Sequence, residues 1–411
     1  MGRRPFYGWY IAASSFATLA FTVGIPLYGM PFYYDYFIRD FGWSRGATTG
    51  GMALATILVL PIAGFFVHRF SARKLIIFGV VLWVLALNGF GRMGGSLVVY
   101  YALWCVVQTA YVYAGPIPNQ VILSQWFHRN RGTAMGIAYL GLGVGGAVSQ
   151  RFVALPLIQR FGWPTALQIT GLLTLVLLPL LLFVVRDRPS EKGLHPDGDP
   201  TEPAEARAAP LELSHLLRQR HFWFLAVGSF CSMGAIGSIT QHLKLLFLDK
   251  GLSEVTVANT TLLLLIFSNL GRIAMGWLAD RLPKKYVMIA AYLLVALPLP
   301  LLFAADRPSV PWIFAMIYGF GLGADFMMIP LMAAELFGAN SLARVMGVLL
   351  PVDSIGLTVF PFVLGVMHDQ LGNYNAALLM ISALGLVGAA AIATLPRSGP
   401  LHLAAAAEAT A

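Results

Sequence analysis

The chain has 411 residues, of which 58% are hydrophobic and 11% charged, with a formal net charge of +9. Soluble domains carry roughly 25% charged residues, so this composition excludes an ordinary soluble protein and points to lipid surroundings. The basic residues stand in short clusters between apolar runs rather than on one continuous surface, which excludes nucleic acid as the partner.

The N-terminal MGRRPF is basic, yet the apolar run after it, Gly8–Pro31, exceeds a signal-peptide core and reads as a first span. Phe6 stands where a myristoylation signal needs Ser or Thr. About 20 apolar residues cross a bilayer core of roughly 30 Å. By that measure twelve helical spans are predicted, at 8–33, 45–67, 75–93, 97–124, 132–157, 164–185, 221–247, 255–278, 286–305, 311–336, 343–367 and 375–395. Between the sixth and seventh lies Arg186–Arg220, rich in Pro, Glu, Asp and Ala and unable to bury a core of its own. The expected division is therefore an N-terminal six-helix half, 1–185, a linker, 186–220, a C-terminal half, 221–397, and a disordered Ala-rich tail, 398–411.

Turns on one side of these spans hold twelve Lys and Arg residues: Arg3, Arg4, Arg69, Arg73, Lys74, Arg129, Arg131, Arg281, Lys284, Lys285, Arg344 and Arg397. The opposite turns hold seven. The positive-inside rule then places both termini and the linker in the cytoplasm of a cell-membrane protein, the inner membrane if the cell is Gram-negative.

The halves also repeat. Gly64, His68, Arg69 and Arg73 align with Gly276, Asp280, Arg281 and Lys285 at an offset of 212, and Met135-Gly136 align with Met346-Gly347 at 211. Two matches at nearly one offset indicate a duplicated six-span unit. His68 stands where the second copy has Asp280. A neutral or cationic ring cannot supply the attraction of a carboxylate for a helix N-terminus, so the first copy is expected to hold its turn less firmly.

Three formal charges are expected near the middle of spans: Arg272 in the eighth, Asp325 in the tenth and Asp353 in the eleventh. Arg272 is the one charge in Val257–Leu278. A mid-membrane cation costs roughly 2.5–3.5 kcal/mol even on lenient scales, and is kept where it faces the bundle interior and meets an anion. The planar guanidinium fork suits a carboxylate. Arg272 thus reads as the substrate-binding residue, with Asp353 and Asp325 as proton carriers or charge balance. The competing reading is a structural ion pair between Arg272 and one of the acids. His242 is a further titratable candidate near the end of the seventh span, whereas Lys244 beside it is expected to snorkel to the interface. Gln108, Tyr111 and Asn119 are spaced to share one face of the fourth span, and with Tyr28 they could bind a hydroxy-acid.

Gly141-Leu-Gly143-Val-Gly145-Gly146 matches a dinucleotide-binding pattern by letters, but no strand precedes it. Gly141 and Gly145, one turn apart, instead offer a small face for close helix packing. Asn259-Thr260-Thr261 abuts a span and is a fortuitous glycosylation match. Cys105 and Cys231 stand singly and imply neither a disulfide nor a metal site. The sequence holds no catalytic constellation and no nucleotide-hydrolysis loop, so the chain reads as neither an enzyme nor a cofactor binder, and its energy source is an ion or solute gradient.

These features resemble the major facilitator superfamily over essentially the whole chain, which implies an all-α membrane fold of two six-helix halves. Gly276, Asp280, Arg281 and Lys285 match the family's signature between its second and third spans. FYGWY, FGWSR and NQVILSQWFHRNRGTAMGIA are similar to the bacterial monocarboxylate-transporter and oxalate:formate-antiporter group, where an eighth-span Arg engages the substrate carboxylate. Ser268 and Leu27 replace the Asp and Lys that animal monocarboxylate carriers hold, and Asp353 replaces the oxalate carrier's Lys. The resemblance implies a secondary active carrier of a small organic anion, a monocarboxylate such as lactate or pyruvate with proton symport, acting as a monomer in the lipid bilayer. The alternative is an anion exchanger with a counter-anion. A non-transporting membrane sensor would need a signalling domain that the linker and tail are too short to form.

Overall fold

The computed structural model describes residues 6–67, 70–127, 130–198, 212–279, 281–338 and 341–396. It is all-helical, with no strand among the described residues. The twelve passes are α1 (Gly8–Phe41), α2 (Arg45–Val67), α3 (Ala72–Phe90), α4 (Leu97–Trp126), α5 (131–161) and α6 (163–183). They continue as α7 (Arg220–Asp249), α8 (Glu254–Ala279), α9 (Lys284–Ala304), α10 (Val310–Phe337), α11 (Leu342–Leu371) and α12 (Asn375–Ala393). Gly162, with φ +76°, breaks what would otherwise be one rod into α5 and α6.

The expected spans fall within these helices, but several helices run further. α1 was expected to end at residue 33 and instead runs to Phe41, stopping at Gly42 with φ +68°. Asp35, Arg39 and Asp40 end the apolar run, whereas packing continues past them. Phe37 is buried against Trp43, Tyr100 and Trp163 in tilted and edge-on ring contacts, and the Trp163 indole donates to Asp40 at 2.7 Å. Such pairs add about 0.5–1.5 kcal/mol each beyond burial.

The chain forms two compact units, Met1–Trp43 with Gly51–Ala204, and Ser44–Gly50 with Glu205–Ala411. In the first, α1 packs on α5. A Cβ on Gly141 would strike the Phe16 carbonyl and one on Gly145 the Ala20 carbonyl, so the small face expected from the sequence is where the two backbones meet. α1 and α5 each contain a π-helical turn, Ala20–Gly24 and Ser149–Ala154, a local widening that often marks functional positions. The start of the linker is tied to this unit. Asp187 accepts from the Ser71 hydroxyl and, at 2.9 Å, from the Arg73 backbone N–H, while Trp126 donates to the Arg186 carbonyl at 2.8 Å.

In the second unit α8 packs chiefly on α10 and α7 on α11 and α12. Its apolar core is built from Phe222, Met275, Met288, Tyr292, Met328, Met332 and Phe337. The tail, with His68, Arg69 and Asp280, lies outside the described residues.

Candidate functional site

Glycines set the spacing around the second unit's charges. A Cβ on Gly271 would collide with the Phe320 carbonyl, one on Gly319 with that of Leu264, and one on Gly323 with that of Ser268. α8 and α10 therefore meet backbone to backbone, with Arg272 one residue beyond the contact on α8 and Asp325 two residues beyond it on α10. Gly237 at the Leu357 carbonyl and Gly356 at the Phe230 carbonyl bring α7 and α11 together in the same way, one turn beyond Asp353.

Asp325 is fully buried and Asp353 is 5% exposed. They lie within electrostatic range of each other, with Ser232 and Tyr292 facing Asp325 and Ser229 facing Asp353. Both oxygens of Asp325, Oδ1 of Asp353, Oγ of Ser232 and Oη of Tyr292 are buried without a closed hydrogen bond. Taking an unpaired carboxylate from water costs several kcal/mol, so three such carboxyl oxygens near two unpartnered hydroxyls are a feature to be explained. Neither Asp325 oxygen has a hydrogen-bond partner, so Arg272 makes no hydrogen bond to that carboxyl. Arg272 is half-buried and lies seven residues before the end of α8, about 10 Å by helical rise, nearer that end than the middle of the helix.

In the first unit the face expected to join Gln108, Tyr111 and Asn119 is interrupted. α4 breaks at Gly115, with φ −87° and ψ −149°, ahead of Pro116. The Asn119 amide repairs the break, donating to the carbonyls of Gly115 at 2.8 Å and Ala114 at 3.4 Å, and the Thr22 hydroxyl reaches the same Ala114 carbonyl at 3.0 Å. Polar side chains at a broken transmembrane helix commonly satisfy freed backbone groups in this way. Gln108 is buried. Tyr111 lies within electrostatic range of Tyr28 and Tyr139, Gln120 donates to the Tyr139 hydroxyl, and Gln150 donates to the Tyr28 carbonyl at 3.1 Å. Tyr28 and Tyr111 therefore share a polar cluster to which sequence spacing did not assign Tyr139, Gln120 and Gln150.

His242 is fully buried and engaged at both ring nitrogens. Nε2 donates to the Pro361 carbonyl at 2.9 Å, so Nδ1 of the neutral ring accepts from Tyr374 Oη at 2.9 Å. Tyr374 Oη accepts in turn from Arg45 at 2.7 Å, and Arg45 forks onto Asp249 at 2.5 and 2.8 Å. Asp369 takes the Arg45 and Gly46 backbone N–H groups at 3.1 and 2.8 Å. The ring is thus built into a structural network as the neutral tautomer. Lys244 does not snorkel: it is 2% exposed and pairs with Glu254 at 2.9 Å, a desolvated cation needing its partner.

The two copies of the turn motif behave alike where both are described. Arg73 donates to the carbonyls of Leu181 at 2.8 Å and Leu182 at 2.5 Å, and Lys285 donates to that of Leu395 at 2.5 Å. Each cation thereby caps the last pass of its own unit. Arg281 sits 3.8 Å from the Trp277 ring, Gly276 is half-buried on α8, and Gly64 lies in α2.

The profile of the family described as Major Facilitator Superfamily matches residues 10–349 and 260–410. Monocarboxylate transporter 11 of Mus musculus is 26% identical over 96% of this chain and 88% of its own length. The fujikurins efflux protein of Gibberella fujikuroi is 26% identical over 86% of this chain and 74% of its own. Among solved structures, a bacterial homologue of the human lysosomal transporter Spinster, described as inward-facing and unoccupied, aligns with a TM-score of 0.69 over 95% of both chains at 18% identity.

Proposed function

Because the chain belongs to the major facilitator superfamily, a family of membrane transporters, we propose that it carries small monocarboxylates such as lactate or pyruvate together with protons. The observation that carries this reading is Arg272, a half-buried guanidinium on an otherwise uncharged stretch of α8, packed against the helix that carries Asp325. A bidentate contact matches a carboxylate, and an anion so held is best moved across lipid with a compensating proton. The similarity to proteins named monocarboxylate transporters supports the substrate class. Asp353 and Asp325 are the proton carriers in this reading. In the first unit Tyr28, Gln108 and Tyr111 are the substrate-contact candidates of this reading, while the Asn119 amide nitrogen is engaged at the helix break. The turn motif, Gly64, Arg69 and Arg73 with Gly276, Asp280, Arg281 and Lys285, governs opening. The protein works as a monomer in the cell membrane with both termini in the cytoplasm.

The test is uptake of a panel of labelled acids into proteoliposomes, with and without an inward proton gradient. Gradient-driven accumulation of a monocarboxylate is expected. Trans-stimulated counterflow that needs no gradient would make the protein an exchanger instead.

A further inference from the structure

Outside the Arg272 helix, the second unit's interior holds a polar group larger than the two acids. Ser229 and Ser232 descend from α7, Tyr292 from α9, Asp325 from α10 and Asp353 from α11, and the four residues other than Asp353 are fully buried. Cys231 also lies within electrostatic range of Tyr292. The one charge on the remaining neighbouring helix, α8, in the stretch packed against α10 is Arg272. Two observations mark this group as more than an acidic pair. The hydroxyls of Ser232 and Tyr292 face Asp325 yet close no hydrogen bond with it, and neither finds another partner. Each is the kind of buried, unpartnered polar group that stable cores avoid.

Deepening the reading of proton symport, we propose that Asp325, Asp353, Ser232 and Tyr292 form a single proton-binding site in which the two carboxyls share one proton and the two hydroxyls position it. Two carboxylates in one apolar pocket cannot both ionise without a partner, as paired acids elsewhere show. Either hydroxyl donates to Asp325 when that carboxyl has lost the proton and rotates away when it returns. This accounts for open hydrogen bonds around Asp325 without a metal. Among the described residues, no group of three or more His, Cys, Asp or Glu side chains could hold a metal ion. Ser232 and Tyr292 are positioning residues: they face the Asp325 carboxyl and act through it.

The experiment is infrared titration of the carboxylic C=O band in the reconstituted full-length protein, which needs no substrate. One band titrating with pH is expected, altered in both Asp325→Asn and Asp353→Asn. In Ser232→Ala and Tyr292→Phe its midpoint should move to higher pH by about one unit, since each change removes a donor that favours the anion. Both are conservative changes, and monodispersity in detergent checks the fold. Two bands that ignore each other's substitution, or a midpoint unmoved in both hydroxyl variants, overturn the proposal. So does loss of the band on adding Na⁺ at constant pH, which would make this a metal-cation site. Because the titration involves no organic acid, a failed uptake panel refutes the carrier reading without touching this result.

Discussion

The two units share a packing plan and differ in where they put charge. In the first, Gly24 meets Gly145 and Gly146 where α1 crosses α5; in the second, Gly237 meets Leu357 where α7 crosses α11. Arg73 and Lys285 cap the last pass of their own unit by the same device. At the repeat offset of 211–212, however, Arg272 corresponds to Leu60, Asp325 to Tyr113 or Ala114, and Asp353 to Gly141 or Leu142. The first unit answers the second unit's charges with uncharged residues: apolar side chains, a glycine or a tyrosine. The lesson is that glycine contacts and caps belong to the scaffold, because both units keep them. These ionisable groups occur in one unit only, and because a duplicated scaffold does not require them and burying them costs energy, they are where the proposed function is to be tested.

Four sets of substitutions test that division, and the largest effect should come from the acids. We predict that Asp353→Asn abolishes gradient-driven accumulation while exchange across proteoliposomes survives, since the amide cannot cycle a proton. Accumulation at the normal level in both Asp353→Asn and Asp325→Asn would move proton coupling away from the second unit. Next, Arg272→Lys keeps the charge but loses the fork, and apparent affinity for a carboxylate should fall about ten- to a hundredfold, in line with roughly 1.5–3 kcal/mol for a charged hydrogen bond. Wild-type uptake at matched abundance would reduce Arg272 to a generic counter-charge.

The third prediction addresses the scaffold. Gly141→Ala in the first unit and Gly237→Ala in the second should each destabilise the protein by about 1–3 kcal/mol, because a methyl group has no room against the opposing carbonyl. Thermal unfolding in detergent reads this directly, and a loss confined to one unit would show that the packing plans are not equivalent. The smallest effect is expected at the first unit's turn. Asp187→Ala removes the acceptor for Ser71 and the Arg73 backbone and should cost about 1 kcal/mol. Protease sensitivity of the linker would report it. An unchanged cleavage rate would mean that the Asp187 bonds do not hold that segment.

The expectation placed on His68 falls outside the described residues. What is described is the start of α3 that follows it, where Asp187, more than a hundred residues later in the chain, accepts from Ser71 and the Arg73 backbone. Local motif comparison could not find this carboxylate, because it comes from the far end of the unit. Tyr292, Ser229 and Ser232 were missed for a related reason. A lone hydroxyl in an apolar helix looks like packing until the opposing helix is known. Lys244 shows the reverse error: its place near a helix end suggested snorkelling, and only α8 supplies the Glu254 that lets it stay buried.

The sequence by itself determined that this is a twelve-pass helical membrane protein with a duplicated plan and a few charges within its spans. Those features are one-dimensional: apolar length, the offset between repeats and the rarity of charge are written along the chain. Tertiary structure decided which polar groups meet. It gathered Asp325, Asp353, Ser232 and Tyr292 from four helices, interrupted the expected face of α4 at Gly115, and locked His242 between Pro361 and Tyr374. Which buried group faces which depends on rotation and spacing of packed helices. That spacing is set by glycine contacts between segments far apart in sequence, and no local pattern encodes the pairing.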